Sequence, residues 1–323
     1  MNRVPITLAV NSYDRHGPML EGTVDDLDFA IEVLEVGQSQ PGRHGTARHE
    51  RFLPSLEFDA CELSFSSYLV AVDQGLPVQA IPVFPRRLFS QSQMYKNVHS
   101  GIAGPADLAG KRVGLSSYQT TLSVLAKGDL EHVYGVPWKS ITWVTSRSET
   151  LEVTLPSDVR LELSSPAQID AELESGSVHA YFGPHPPRPF IDGSPDVVRL
   201  FPDPKLEEER YLREEGYFPI MHVVAYKREL AERYPRLPTA LFRLFARARE
   251  LARTRWDDPN WSMLIWGRHE LERQMALCGF DPWSDGIELN RKNIERFSTY
   301  SYEQGLTARR LSPETIFVSP DLD

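Results

Sequence analysis

The sequence has few cysteines. It contains 323 residues and two cysteines, Cys61 and Cys278, which lie far apart and match no metal-ligand spacing. Nothing in this usage suggests a disulfide scaffold, and a reducing cytosol fits it. Cys61 lies in the apolar stretch FDACELS, so we expect a buried, unreactive thiol at this position.

Excess positive charge and long apolar runs are also missing. The formal net charge of −10 argues against a nucleic-acid or anionic-membrane partner, since either would need a basic face. No stretch approaches the ~18 apolar residues of a membrane span. The apolar run at residues 6–10 is too short for a secretion signal, and Asp14 and Arg15 follow it. We therefore expect a soluble, cytoplasmic protein.

Several catalytic motifs are absent. The chain has no G-x-S-x-G elbow, no P-loop and no G-x-G-x-x-G, so hydrolase, NTPase and dehydrogenase functions have no support. His44 and His49 share a polar stretch with no third ligand nearby. We expect neither a metal site nor a cofactor.

What the sequence does contain is an alternation of strand-like and helix-like stretches. The pattern predicts strands at residues 6–10 and 31–36, a helix that ends near Leu56, a strand at FDACELS, a helix over 66–74 and a strand at VQAIPVF. It then restarts with a strand at 111–115, a helix from about 120 that stops at Gly135, strands at ITWVT and VRLELS, a helix that ends at Gly176 and a strand at 179–182. Helices are then predicted over 228–256, 260–278 and 291–303. This spacing predicts an α/β fold of two units with mainly parallel sheets and a helical C-terminal segment.

Two serine-rich turns repeat each other. Residues 66–68 and residues 116–118 both read Ser-Ser-Tyr, and each turn lies where a strand leads into a helix. In open α/β sheets such helix starts offer free N–H groups to an anion. Ordinary helix capping is the alternative, and both interpretations stay open here.

The stretch ADLAGKRVGL resembles the opening of the second lobe of a type II periplasmic-binding-protein-like fold. The stretches YDR, ELSFSSYLVA, IPVFPRRLF, VGLSSYQTT, GYFPIMH, LNRKNIERF and YSYEQGLTARRLSPE resemble the 4,5-dihydroxyphthalate decarboxylase family, nearly end to end. The family consists of cytoplasmic enzymes on that scaffold. The resemblance implies one lobe of residues 1–92 and 222–323, an inserted lobe of residues 93–221, and a ligand cleft between them.

The resemblance also implies cofactor-independent loss of CO2 from a hydroxylated aromatic carboxylate like 4,5-dihydroxyphthalate. Such a reaction needs a held carboxylate, a proton donor for the ring carbon and an acceptor for the phenol. Ser90 and Gln91 depart from the family, which carries basic residues and a histidine there, and Ser117 replaces a frequent acidic residue.

Three residues are the candidates for catalysis. His222, after FPIM, is the first choice for the proton donor. Asp14 is expected to accept from the phenol or to orient the histidine. Glu62, inside an apolar strand, is a general acid or base, or equally a structural partner of Arg87 or Arg15.

The other candidates would bind substrate. Arg15 and Arg87 are expected to hold carboxylates, whereas Arg86 is expected to face solvent. The hydrogen-bonding and loop candidates are Ser66, Ser67, Ser117, Tyr118, Gln119, Thr120, Thr121 and His185.

Two further functions stay open. One is another lyase, which eliminates water from a cyclic carboxylate in a biosynthetic pathway. The other is a non-catalytic protein that binds a small acid, since fold alone does not specify activity. The expected partner is a small aromatic mono- or dicarboxylate, and self-association of the chain stays open.

Overall fold

The structure, a computed structural model, describes residues 3–38 and 40–321. Within these residues the strands are β1 Val4–Val10, β2 Phe29–Glu35, β3 Ala60–Ser64, β4 Val78–Ile81, β5 Met94–Asn97, β6 Arg112–Leu115, β7 Thr142–Thr145, β8 Arg160–Leu163, β9 Ala180–Phe182, β10 Val197–Arg199 and β11 His222–Lys227. The α-helices are α1 Gly17–Leu20, α2 Arg48–Phe52, α3 Phe65–Asp73, α4 Thr121–His132, α5 Pro166–Ser175, α6 Arg188–Ile191, α7 Pro204–Glu215, α8 Arg228–Arg233, α9 Leu237–Arg255, α10 Gly267–Cys278, α11 Ile287–Glu303 and α12 Pro313–Ile316.

The chain divides into two compact units. The first comprises Met1–Arg86, His222–Lys292 and Ser312–Asp323, and the second comprises Arg87–Met221 and Asn293–Leu311. Residues 293–311, which the family resemblance assigns to the first lobe, lie in the second unit.

The reason for this grouping lies in helix α4. A Cβ atom at Gly128 would lie 2.1 Å from the ring of Tyr300, so the glycine makes room for that ring. Close by, Gln304 Nε2 donates to the carbonyl of Val124 at 2.8 Å. The end of α11 is therefore packed into the second unit.

The first unit is built on a five-stranded sheet in the order β2-β1-β3-β11-β4. Strand β3 is central: it pairs in parallel with β1 and antiparallel with β11. All five of its residues are buried. The apolar side chains of β1 and α9, among them Leu8, Leu241 and Phe245, form one core. Cys61 is buried in β3 with a free thiol, as the sequence predicted, and burial raises its pKa.

The second unit is built on a six-stranded sheet in the order β10-β5-β9-β6-β7-β8. Strand β5 is antiparallel to both neighbours, and the pairs from β9 to β8 are parallel. The sequence pattern misses β5, β10 and α7. The two strands have four and three residues, too few for a periodic signal. Helix α7, PKLEEERYLREE, is so rich in charge that its two buried residues, Tyr211 and Leu212, form no recognisable apolar stripe.

Four helix predictions are wrong in extent, and one of them is the helix expected over 291–303, which begins at Ile287. The single helix expected over 228–256 is broken between α8 and α9, because Pro235 cannot continue a helix and restricts the residue before it. The helix expected from residue 260 begins at Gly267, and the one expected to end near residue 56 ends at Phe52. Among the described residues, no helix combines the length and the apolar character that crossing a membrane requires.

Candidate active site

A buried carboxylate, Glu62, lies at the centre of the candidate site in the first unit. His222 Nδ1 lies 2.5 Å from Glu62 Oε1, and Arg48 Nη2 lies 3.2 Å from the same oxygen. The hydroxyl of Tyr13 also donates to Oε1, at 3.2 Å. The second oxygen, Oε2, accepts the backbone N–H of Asn11 at 2.8 Å. Both oxygens of this fully buried carboxylate are therefore satisfied.

Strand pairing brings Glu62 and His222 together. In the β3–β11 ladder, Val224 lies opposite Glu62, and His222 lies opposite Ser64. Side chains alternate along a strand, so Glu62 and His222 project from the same face as diagonal neighbours. Strand β1 runs parallel to β3, and the residues that follow it reach the carboxyl edge of the sheet beside Glu62.

The protonation states follow from burial and charge. Burial alone would raise the pKa of Glu62, but the charge of Arg48 and the hydrogen bond from His222 hold it well below its usual value. Burial lowers the pKa of His222 to about 4, against the opposing pull of Glu62. At neutral pH the carboxylate is therefore ionised and the imidazole is neutral.

A neutral His222 beside an ionised Glu62 must carry its proton on Nδ1 and donate it to the carboxylate. Its Nε2, on the other edge of the ring, then carries the lone pair. The His222 side chain is 6% exposed. This carboxylate–imidazole pair first accepts a proton at Nε2 and can donate it afterwards. We call Glu62 and His222 the dyad.

Arg48 and His49 complete the surroundings of the dyad, and sequence reasoning missed both. Arg48 Nε donates to the backbone carbonyl of Glu62 at 2.7 Å, so one arginine holds both the main chain and the side chain of this residue. The His49 ring stands edge-on to the His222 ring, with centroids 5.3 Å apart. Both residues begin the short helix α2, whose sequence is polar. The one available signal was Glu62 itself, because a buried carboxylate requires a buried cation.

Tyr13 and His16 are two further residues that the sequence did not single out. Burial and the charge of Glu62 raise the pKa of Tyr13, so its hydroxyl stays protonated and donates. The buried His16 donates from Nδ1 to the carbonyl of Asn11 at 2.8 Å. Its ring packs against Tyr13 and Phe245, with centroids 5.1 and 5.5 Å away.

The buried His16 predicts an acid-sensitive fold. Burial lowers its pKa from 6.5 to about 4, so the unfolded chain binds a proton that the folded chain resists. Its contribution to stability is present above pH 6.5 and is lost as the pH falls through about 4. It amounts to about 3 kcal/mol at neutral pH. Urea unfolding at pH 7 and pH 4.5 should show a smaller loss of stability in His16→Gln than in the wild type.

The exposed His44 provides the control for this prediction. His44→Gln should keep the wild-type difference between the two pH values. An unchanged pH dependence in His16→Gln would show that this histidine does not carry the effect.

Arg15 is held in place from several sides. Its guanidinium lies over the rings of Tyr13 and Trp283, 4.2 Å from each centroid. Its Nε donates to the carbonyl of Pro85 at 2.7 Å, and Nη1 lies 3.2 Å from Asp14 Oδ1. Asp14 is half-exposed and also accepts the backbone N–H of Arg15. The carboxylate that contacts His222 is Glu62, and the contacts of Asp14 are with Arg15.

Arg86 and Arg87 lie in different environments from those that the sequence predicted. Arg87 is buried in the second unit, where its Nη1 donates to the carbonyl of Phe218 at 2.7 Å. Arg86, which was expected to face solvent, is half-buried in the first unit. Its charge contributes to lowering the pKa of His222 and opposes the rise at Tyr13. Arg86 is thus the arginine of this pair whose charge acts on the dyad.

The first serine turn caps a helix. Ser64 Oγ accepts the backbone N–H of Ser67 at 3.4 Å and so begins α3. Ser66 is fully buried and Ser67 is half-buried. The hydroxyl of Tyr68 donates to the carbonyl of Ile316, which places this ring in the core.

The second serine turn binds a carboxylate, and that carboxylate belongs to the chain itself. Glu149 Oε1 accepts the backbone N–H groups of Tyr118 at 2.5 Å and of Gln119 at 3.2 Å. Gln119 also donates from Nε2 to the carbonyl of Leu151 at 2.7 Å. Beneath the turn, the buried Lys127 Nζ donates to the carbonyl of Tyr118 at 2.9 Å. The geometry of this turn therefore suits a carboxylate oxygen.

The remaining predicted residues of the second unit lie around this turn or in a loop. The Oγ of Ser117 and the Oγ1 of Thr120 are 2.8 Å apart, and Thr121 begins α4. His185 is exposed in the loop between β9 and α6. Within residues 3–38 and 40–321, no group of three or more histidine, cysteine, aspartate or glutamate side chains could hold a metal ion.

The two departures from the family at residues 90 and 91 face the interior of the second unit. Ser90 Oγ donates to Asp129 Oδ2 at 2.8 Å, and Gln91 Nε2 donates to the hydroxyl of Tyr134 at 3.2 Å. Both side chains are fully buried. Burial raises the pKa of Asp129 to about 7, despite its hydrogen bonds from hydroxyl groups. These two residues thus belong to an internal polar network.

The two α/β units have a periplasmic-binding-protein-like fold. The chain is similar in structure to the periplasmic aliphatic sulphonate binding protein of Escherichia coli, at a TM-score of 0.57 and 14% sequence identity. The match covers 99% of this chain and 94% of that protein. The alkanesulfonate-binding protein of Xanthomonas axonopodis pv. citri matches 99% of both chains, at a TM-score of 0.57 and 13% identity. The fold class expected from the sequence is confirmed.

Curated relatives give the family. A 4,5-dihydroxyphthalate decarboxylase of Comamonas testosteroni is 33% identical over 335 residues, which cover 100% of this chain and 99% of the relative. One of Pseudomonas putida is 34% identical over 213 residues, which cover 64% of this chain and 80% of the relative. No family model matches the chain. The chain belongs to the 4,5-dihydroxyphthalate decarboxylase family, as its motifs indicated.

Proposed function

We propose that this chain is a carboxy-lyase that removes CO2 from a hydroxylated aromatic carboxylate of the 4,5-dihydroxyphthalate type. The observation that carries the proposal is the dyad, a neutral imidazole held by a buried, ionised carboxylate. The full-length similarity to enzymes with this name supports the same chemistry. The proposed partners are a small aromatic dicarboxylate and a second copy of the chain.

The proposed reaction begins with the phenol. Nε2 of His222 takes the proton of the hydroxyl para to the leaving carboxylate, and Glu62 stabilises the imidazolium that forms. The ring oxygen becomes ketone-like, and the carbon that bears the carboxylate accepts a second proton, which solvent supplies. The bond to the carboxylate then breaks, its electron pair returns to the ring and CO2 leaves. The imidazolium of His222 returns its proton to the phenol oxygen. In sum, the reaction consumes one aromatic carboxylate and one proton, and it forms one ring C–H bond and one CO2.

Arginines are the proposed clamps for the substrate's carboxylates. Arg15 packs against two aromatic rings, and Arg86 acts electrostatically on the dyad, so both are candidates within the first unit. The turn at Tyr118 and Gln119 is the proposed binding site for a substrate carboxylate in the second unit. The ligand cleft between the lobes, the absence of a cofactor and the cytoplasmic location stay predictions.

The test of the proposal is the mass of the product. Purified protein is incubated with 4,5-dihydroxyphthalate, and the gas phase and the ring product are both analysed. Release of CO2 and a product that lacks one carboxylate are expected. Loss of water would identify a different lyase, and recovery of unchanged ligand after tight binding would identify a binding protein. Because Ser90 and Gln91 face an internal network, their departure from the family favours neither alternative.

The Glu149 side chain should compete with a substrate carboxylate for the backbone N–H groups of Tyr118 and Gln119. Removing its side chain in Glu149→Ala leaves the two N–H groups open to a substrate carboxylate, so KM should fall about 10-fold while kcat changes little. Steady-state kinetics measure both constants. Glu152→Ala removes an exposed acid of the same loop and is the matched control. A KM that stays the same or rises in Glu149→Ala would exclude this turn as the binding site for a substrate carboxylate.

A further inference from the structure

One segment of the first unit exposes an unusual amount of apolar surface. Residues 261–266 read Trp-Ser-Met-Leu-Ile-Trp and lead directly into α10. Met263, Leu264 and Ile265 are 104%, 66% and 84% exposed, and Trp261 and Trp266 are 46% and 70% exposed. We call these five side chains, together with Met275 of α10 at 66%, the apolar surface.

The area of this surface exceeds what a monomer ordinarily shows. The two tryptophans alone expose roughly 200 Å², taking about 150–250 Å² for a whole aromatic side chain. Four largely exposed aliphatic side chains add several hundred Å² more. The largest patch on a monomer is about 300–600 Å², whereas a stable dimer buries about 800 Å² per partner. The apolar surface is on the scale of the second value.

Helix α10 is packed against the first unit only in part. Of its 12 residues, all described, Gly267 is the only one that is buried. Isolated helices shorter than about 12–15 residues are marginal in water, because most helical stability comes from tertiary packing. Packing against the apolar surface from outside would supply what this helix lacks.

Charge favours a second copy as the partner. The charged residues of α10 balance: Arg268 pairs with Glu272 at 2.8 Å, and Arg273 pairs with Glu270 at 2.8 Å. The chain as a whole carries a net charge of −10, so an anionic membrane is disfavoured as the partner. A twofold interface requires a self-complementary surface, and a neutral apolar one satisfies that condition.

We propose that residues 261–278 form a self-association surface on which two copies of this chain meet about a twofold axis. The inference is independent of the proposed reaction, since it uses no residue of the dyad or of the serine turns.

Sedimentation velocity over a range of protein concentrations tests this inference. The wild type should form a dimer, and Ile265→Glu/Trp266→Glu should weaken dimerisation by about 100-fold or more, because it places charges in the contact. Leu27→Glu adds a charge at an exposed leucine between α1 and β2 and should dimerise like the wild type. Circular dichroism and Tm should be the same for the monomeric forms of all three proteins.

Backbone amide exchange provides a second measurement that needs no variant. Exchange across residues 261–278 should slow as the wild-type concentration rises through the dimerisation range. A wild type that stays monomeric, or a double variant that assembles like the wild type, would overturn the inference. Binding of a monomer to neutral phosphatidylcholine vesicles through these residues would also overturn it, because the occupant would then be a lipid surface.

Discussion

Replacing His222 with glutamine should lower kcat for CO2 release by about 10²–10⁴-fold, while the Kd for the substrate changes little. Glutamine can still donate a hydrogen bond to Glu62, but it cannot take up and return a proton. The expected factor is that of a positioned acid–base group. The variant should also keep its fold, because the replacement leaves the buried carboxylate with a donor. Stopped assays of the ring product give kcat, and calorimetric titration of the variant gives Kd.

The control is a second buried histidine of the same unit. His16→Gln removes an imidazole whose Nδ1 bonds to a backbone carbonyl and not to Glu62. Its kcat should stay within a few-fold of the wild type at pH 7. A His222→Gln enzyme that also turns over within a few-fold would remove this histidine from the reaction.

Replacing Glu62 with alanine should destabilise the fold by about 3–5 kcal/mol, as well as abolish turnover. Arg48 is fully buried, and removing its partner leaves a buried cation without an opposite charge. The backbone N–H of Asn11 and the hydroxyl of Tyr13 lose their acceptor at the same time. Urea unfolding at pH 7 measures the loss.

A matched ion pair on the surface shows the contrast. Glu57 lies 2.5 Å from Arg51, and both side chains are substantially exposed. Glu57→Ala should therefore cost less than about 1 kcal/mol. In addition, Glu62→Ala/Arg48→Ala should cost less than the sum of the two single changes, since the unpaired charge is gone. Equal losses of unfolding free energy in Glu62→Ala and Glu57→Ala would contradict the burial of the Glu62 carboxylate.

The sequence was informative wherever local pattern decides the structure. The apolar stretch around Glu62 predicted a buried strand with a carboxylate inside it, and β3 has that property. The serine-rich turns were expected at helix starts, and Ser64 and Thr120 are the residues that precede α3 and α4. Such features depend on a few neighbouring residues, so they can be read without the rest of the chain.

Partners that are distant in sequence could not be read in the same way. The candidates for the cation beside Glu62 were Arg15 and Arg87, whereas the partner is Arg48, brought there by the packing of α2 against β3. Likewise, nothing local distinguishes Glu149 from the other acids of its loop, yet its side chain occupies the turn at Tyr118. These pairings depend on long-range packing and loop path, which no single stretch of sequence encodes.

A single-turnover assay, with the protein in excess over 4,5-dihydroxyphthalate, tests the role of the dyad most directly because it separates chemistry from binding and release. The wild type should convert the bound diacid to CO2 and a monocarboxylate. His222→Gln should bind the diacid and retain it intact over the same time. Conversion by both proteins at the same rate would contradict the claim that Glu62 and His222 carry the reaction.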